Sequence, residues 1–123
     1  MNVKLKDILE VAAHYALLTD LADALSKGSI HLLDGVAQCE DLSEEDLEAL
    51  NLLLQSAKNV LQQLNVSSVD FNNLDCNLPP ILPCNKPRVM GYGLMAEYCK
   101  LDDRPHDVNQ WLRRYNDALL GKN

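Results

Sequence analysis

Apolar residues return every three or four positions in four stretches of this 123-residue chain. The first runs from Leu5 to Lys27, with Leu5, Ile8, Leu9, Ala12, Ala16, Leu18, Leu21, Ala22 and Leu25 at helical spacing. Gly28 supplies a stop, since glycine tolerates a left-handed backbone, and Lys27 favours the negative end of the helix dipole. Within this stretch, Val11-Ala12-Ala13-His14-Tyr15-Ala16-Leu17-Leu18 is apolar nearly all round. Such a helix must be covered on more than one side, by its own domain or by another subunit.

Ser29 to Gln38 reads as one or two helical turns, capped by Ser29 and ended by Gly35. The clearest helix follows, from Glu44 to Leu64, about 31 Å long at ~1.5 Å per residue. Ser43 is its N-cap, and Glu44, Glu45 and Asp46 fill the first turn, where the dipole favours negative charge. Leu47, Leu50, Leu54, Ala57, Leu61 and Leu64 mark its stripe. Residues 65–87 differ in kind: Pro79, Pro80, Pro83 and Pro87 forbid a helix, yet Val66, Val69, Phe71, Leu74, Leu78, Ile81 and Leu82 keep the segment apolar. A loop of this length is either functional and partner-bound or an arm packed on its own domain.

Beyond Pro87, Val89, Met90, Leu94, Met95, Tyr98 and Leu101 share a helical face. Gly91 and Gly93 each cost such a helix ~1 kcal/mol relative to Ala, which makes sense if something approaches that backbone closely. Pro105 opens a last helix with the stripe Val108, Trp111, Leu112, Tyr115, Ala118 and Leu119, ended by Gly121. No segment reads as a convincing strand. The expectation is one all-α domain over 1–123: a bundle of about four helices, with a long proline-containing loop or arm at 65–87 between the central helix and the C-terminal helices.

Charge narrows the partners. The net charge is −7, and it is uneven. Residues 1–87 hold 13 acidic and 5 basic side chains, whereas residues 88–123 hold 5 and 6. A chain so acidic is poorly suited to wrapping phosphate. It suits repulsion of DNA or a basic partner. Paired Arg113 and Arg114 flank the last apolar stripe, where Trp111 is a core anchor or an interface hot spot. Head-to-tail contacts would set this basic end of one copy against the acidic body of the next.

Chemistry is sparse. Gly91-Tyr92-Gly93 lacks the rest of a phosphate-binding loop, and neither a nucleophile elbow nor an H-E-x-x-H pair occurs. Cys39, Cys76, Cys84 and Cys99 form no C-x-x-C, and His14, His31 and His106 stand far apart. The four thiols read as reduced, with Cys76 and Cys84 near enough in sequence to bridge on oxidation. His14 reads as a core or interface histidine and His106 as solvated near a helix start. Neither an enzyme nor a bound cofactor or metal is expected. No apolar run reaches the ~18 residues of a membrane span, and Asp7 and Glu10 interrupt any leader-like N-terminus, so the expected setting is intracellular.

The order of elements carries a resemblance. An acidic capped helix holds Leu54-Gln55-Ser56-Ala57-Lys58-Asn59-Val60-Leu61, followed by the loop Leu78-Pro79-Pro80-Ile81-Leu82-Pro83 and a helix with Ala96-Glu97-Tyr98. The last helix reads Val108-Asn109-Gln110-Trp111-Leu112-Arg113-Arg114-Tyr115-Asn116-Asp117-Ala118-Leu119. Over roughly residues 20 to 120 the chain resembles the head–tail connector (adaptor, or head-completion) proteins of tailed bacteriophages, which end in a similar Arg-Tyr-x-x-Ala-Leu helix. The resemblance implies a helical subunit, made in the host cytoplasm, that forms a homo-oligomeric, dodecameric ring in the virion neck. One side of the ring would dock on the portal protein and the other on a tail terminator or tail-tube protein. DNA would pass through without being read. Leu78, Pro79, Pro80, Ile81, Leu82, Pro83, Trp111, Arg113, Arg114 and Tyr115 would mediate these contacts, and Gly91 and Gly93 would let neighbours pack closely. The rival readings are a small acidic helical interaction protein, an antitoxin or DNA-mimic inhibitor on a basic partner, and a small helical enzyme or accessory subunit.

Overall fold

The computed structural model describes residues 2–34 and 36–121. Five helices and one small hairpin follow in the order α1 (Leu5–Tyr15), α2 (Thr19–Lys27), β1 (His31–Leu33), β2 (Val36–Gln38), α3 (Glu44–Gln63), α4 (Pro87–Leu101) and α5 (Pro105–Leu119). The chain is mostly helical, as expected, but it is neither strictly all-α nor four-helical.

The single helix expected over Leu5–Lys27 is two. Leu17 takes a left-handed backbone (φ 61°), and Leu18 N–H donates back to the Ala13 carbonyl at 2.9 Å. The two halves fold against each other, so Ile8, Leu9, Ala12 and Ala13 of α1 and Leu21, Ala22 and Leu25 of α2 are all buried. A straight rod could turn only one side to the core. Burial of the second face offsets the ~1–3 kcal/mol that a non-glycine residue costs in this conformation. Much of the coverage demanded by the all-round apolar stretch comes from within the chain, since α1 packs against α2, α3 and α4, but Leu17 at the turn stays 85% exposed.

The helical turns expected over Ser29–Gln38 are a hairpin instead. His31, Leu32 and Leu33 pair antiparallel with Gln38, Ala37 and Val36. The period here is two, with Ala37 buried and its neighbours exposed. Asp34-Gly35 is a strong hairpin-turn dipeptide that the helical reading passed over. Asp34 has φ 52°; Gly35, read as the stop, lies outside the described residues. Ala37 N–H donates to Asn51 Oδ1 of α3 at 3.4 Å.

The α3 helix begins as read, with Ser43 Oγ accepting from Asp46 N–H at 3.2 Å. Asn65 (φ 60°) ends it, and Val66 N–H returns to the Leu61 carbonyl. The proline segment is an arm laid on its own domain. Leu5 and Lys6 N–H groups donate to the carbonyls of Cys76 and Leu74 at 2.9 Å, and Leu78 N–H donates to Val3 at 2.8 Å. The first two bonds satisfy donors that the first turn of α1 would otherwise leave orphaned. Asp75 adds ion pairs to Lys6 at 3.2 Å and Lys4 at 3.8 Å. Both the loop and the start of α1 are held by this exchange.

The central element is α4, which packs against α1, α3 and α5. Met90, Gly91, Gly93, Leu94, Met95, Ala96, Tyr98 and Cys99 are buried along it. The peripheral element is α5, which packs chiefly on α4, reaches α1 through its Trp111 ring, and has no buried residue. Among the described residues, no helix is long and apolar enough to cross a membrane.

Candidate functional site

Several features that the core does not absorb gather where α1 ends, α4 begins and α5 runs alongside. The close approach expected at the α4 glycines is real, but the approaching groups belong to the same chain. A Cβ at Gly91 would meet Val11 Cγ1 at 2.6 Å and Tyr15 Cε2 at 2.9 Å. One at Gly93 would meet the Tyr115 ring at 2.9 Å. Two missing methyl groups therefore let α1 and α5 settle against α4.

That closeness assembles three aromatic rings from three helices. Tyr15 and Tyr92 stack with centroids 5.2 Å apart and planes 10° from parallel. Trp111 stacks on Tyr15 at 5.5 Å and on Tyr92 at 6.2 Å. All three remain half-buried. The Arg114 guanidinium covers the Trp111 ring at 4.6 Å, a cation–π contact. Arg88 lies near the phenols of Tyr15 and Tyr92, whose proximity raises its already high pKa. Burial raises the Tyr15 phenol, with Arg88 opposing the rise. Burial also raises Tyr115, with the nearby Cys84 adding to the effect.

Beside this stack opens a groove of about 520 Å³. Its walls are residues 85–89 and Tyr92 on one side and Ala118 of α5, with Gly121, on the other. Lys86 and Arg88 bring positive charge to apolar walls. The exposed Leu119 and Leu120 lie in sequence between Ala118 and Gly121. Ile81 and Leu82 are also exposed, in a turn that Asn85 N–H closes onto the Ile81 carbonyl at 3.0 Å.

The expected contact residues divide. Leu78 and Pro83 are buried in the chain's own interior, because the arm folds onto α1 rather than projecting; they offer no surface to a partner. Pro79 is half-buried, while Pro80, Ile81 and Leu82 are exposed. Trp111 and Tyr115 are half-buried against α4. Arg113 and Arg114 are exposed, and neither makes an ion pair among the described residues. His14, expected in a core or interface, is exposed beside Glu10, Thr19 and Asp20. Cys84 and Cys99 are buried, Cys39 and Cys76 half-buried, and all four are free.

Sequence reasoning missed Tyr15, Tyr92 and Arg88 as one constellation. The only local signal was the glycine pair around Tyr92; the convergence itself is tertiary. Around α2, Glu10, Asp20, Asp23 and Asp41 line two surface depressions. Asp23 is paired with Lys27 at 2.9 Å, an exposed contact within one helix. No protein-family model, curated protein or solved structure matches this chain.

Proposed function

We propose that this chain is a structural subunit of a head–tail connector ring, joining a portal to a tail in a virion neck around a channel that passes DNA without reading it. The observation that carries the reading is the separation of unlike surfaces onto different outer elements. One is α5, which rests on α4, touches α1 through Trp111 and Tyr15, and bears Arg113 and Arg114, without ion pairs among the described residues, beside the half-covered Trp111. The other is α2, which packs on α1 and α3, shares no contact with α4 or α5, and carries Asp20 and the Lys27-paired Asp23 near Glu10 and Asp41. A two-fold pair through α5 would set arginine against arginine. Copies meeting head to tail set arginine against carboxylate, and a repeated heterologous contact closes into a ring when its rotation closes. The order of helices, arm and Arg-Tyr-x-x-Ala-Leu ending supports the connector class. On this reading the protein is no enzyme and needs no cofactor.

The test is mass in solution, alone and with a portal-type ring, for the parent chain and for Arg113→Glu/Arg114→Glu. The parent assembles on the platform and the variant does not. A parent chain that assembles in neither condition overturns the reading.

A second reading has one observation in its favour. Glu10, Asp20, Asp23 and Asp41 present an acidic face that would suit a basic groove, as in an antitoxin or DNA-mimic inhibitor. It requires tight binding to a basic protein that weakens steeply with salt.

A further inference from the structure

The hairpin turn carries apolar side chains that the fold does not use. Leu33 and Val36 face each other across the last pair of the ladder and are 60% and 53% exposed. Asp34, next along the turn, is exposed too. The two strands pack only on each other and, through β2, on α3. The described residues of this tip offer two aliphatic side chains and one carboxylate.

The groove beside α5 has the complementary composition. Val89, Tyr92 and Ala118 give it apolar walls, and Lys86 and Arg88 give it positive charge. Its volume of about 520 Å³ falls within the ~300–1,000 Å³ of cavities that take small ligands. Arg88 stands exposed at the groove near the phenols of Tyr15 and Tyr92, so a carboxylate entering there meets its guanidinium. Neither strand of the hairpin packs on α4 or α5, so tip and groove belong to different parts of the molecule.

We infer that the hairpin tip of one copy seats in the groove of the next. Leu33 and Val36 pack on Val89, Tyr92 and Ala118, and Asp34 pairs with Arg88. This contact rests on the head-to-tail reading above and gives it an address. Tip and groove are unlike surfaces, so each copy offers one and accepts the other. Arg113 and Arg114 stand on the same helix as Ala118, where the acidic body of the incoming copy adds its charge.

A pair of half-blocked copies tests the contact without polymerisation. One copy, isotope-labelled, carries Leu33→Glu/Val36→Glu and keeps its groove. The other, unlabelled, carries Lys86→Glu/Arg88→Glu and keeps its tip. All four positions are exposed or half-exposed, and the circular dichroism of each variant verifies its helix content. NMR titration should give a one-to-one complex with shifts centred on Val89, Tyr92 and Ala118. Adding Asp34→Arg to the tip copy should weaken binding about tenfold or more. An Arg88→Asp groove should restore binding to that reversed tip. Absence of shifts in the labelled groove, or an affinity that Asp34→Arg leaves unchanged, overturns the contact. If the pair fails to bind while the parent chain still closes rings on a portal, this contact falls and the ring reading stands. If the pair binds but the parent never assembles on the platform, the contact stands and the connector reading falls.

Discussion

The Tyr115 ring lies against the backbone of Gly93, so close that a single added methyl group would come within 2.9 Å of Cε1 and 3.1 Å of Cζ. This contact seats α5, an element with no buried residue of its own, on the central helix. Gly93→Ala should loosen α5. Gly91→Ala should be more damaging, because Val11 Cγ1 at 2.6 Å belongs to a β-branched side chain with little freedom to yield. Overpacking costs ~1–3 kcal/mol, and the gain in helix propensity returns up to ~1 kcal/mol. Urea unfolding midpoints should fall for both variants, and further for Gly91→Ala.

Trp111→Ala removes one ring from a three-ring stack and leaves the Arg114 guanidinium without its aromatic partner. A fully buried Trp→Ala costs ~3–5 kcal/mol, so a half-buried one should cost about 2 kcal/mol. The loss should be local. Hydrogen exchange is expected to speed up across α5 while the buried amides of α1 and α3 keep their protection. Uniform loss of protection would mean that α5 is integral to the core rather than applied to it.

Ser43→Ala withdraws the hydroxyl that accepts from Asp46 N–H at 3.2 Å. The expected cost is ~1 kcal/mol. Ser43→Asp should keep most of the stability, since a carboxylate also accepts that bond, although three acidic residues already crowd the first turn. Thermal unfolding followed by circular dichroism distinguishes the three proteins.

Stability should decline in alkali. Burial raises the thiols of Cys84 and Cys99 above their ordinary 9.0, and the phenols of Tyr98 and Tyr115 above 10.0. For each group the neutral form is favoured in the folded chain, and the unfolded chain releases its proton first. The contribution is therefore complete below pH about 9 and is lost as pH rises through the folded values. Unfolding free energy measured from pH 7 to 11 should bend downward above 9. Tyr115→Phe should make the bend shallower; an identical curve would remove that phenol from the linkage.

Thiol chemistry gives an independent check of burial. Cys39 and Cys76 are partly exposed and Cys84 and Cys99 are buried, so a maleimide should label two thiols in the folded protein and four in denaturant. Rapid labelling of all four in native buffer would contradict the packing of the arm and of α4.

Local rules carried the reading of this chain wherever a signal is complete within one turn. Ser43 and its acidic followers start α3, Pro87 and Pro105 open α4 and α5, and Gly28 closes α2, each through hydrogen bonds and dihedrals among adjacent residues. The same rules recognise glycine as the left-handed stop, and so passed over Leu17 and Asn65, which make the same turn with ordinary side chains. Those two turns depend on what packs afterwards. The break at Leu17 is worthwhile only because α2 then buries its own stripe. Likewise the hairpin wins over helical turns because Ala37 finds α3. Arg88, Tyr15, Tyr92 and Trp111 lie on three helices that periodicity describes one at a time. What the sequence determined alone was where apolar stripes lie and where the chain must turn. The tertiary structure decided which stripes cover one another, because burial is a property of pairs of surfaces, and a single periodic segment carries only one member of each pair.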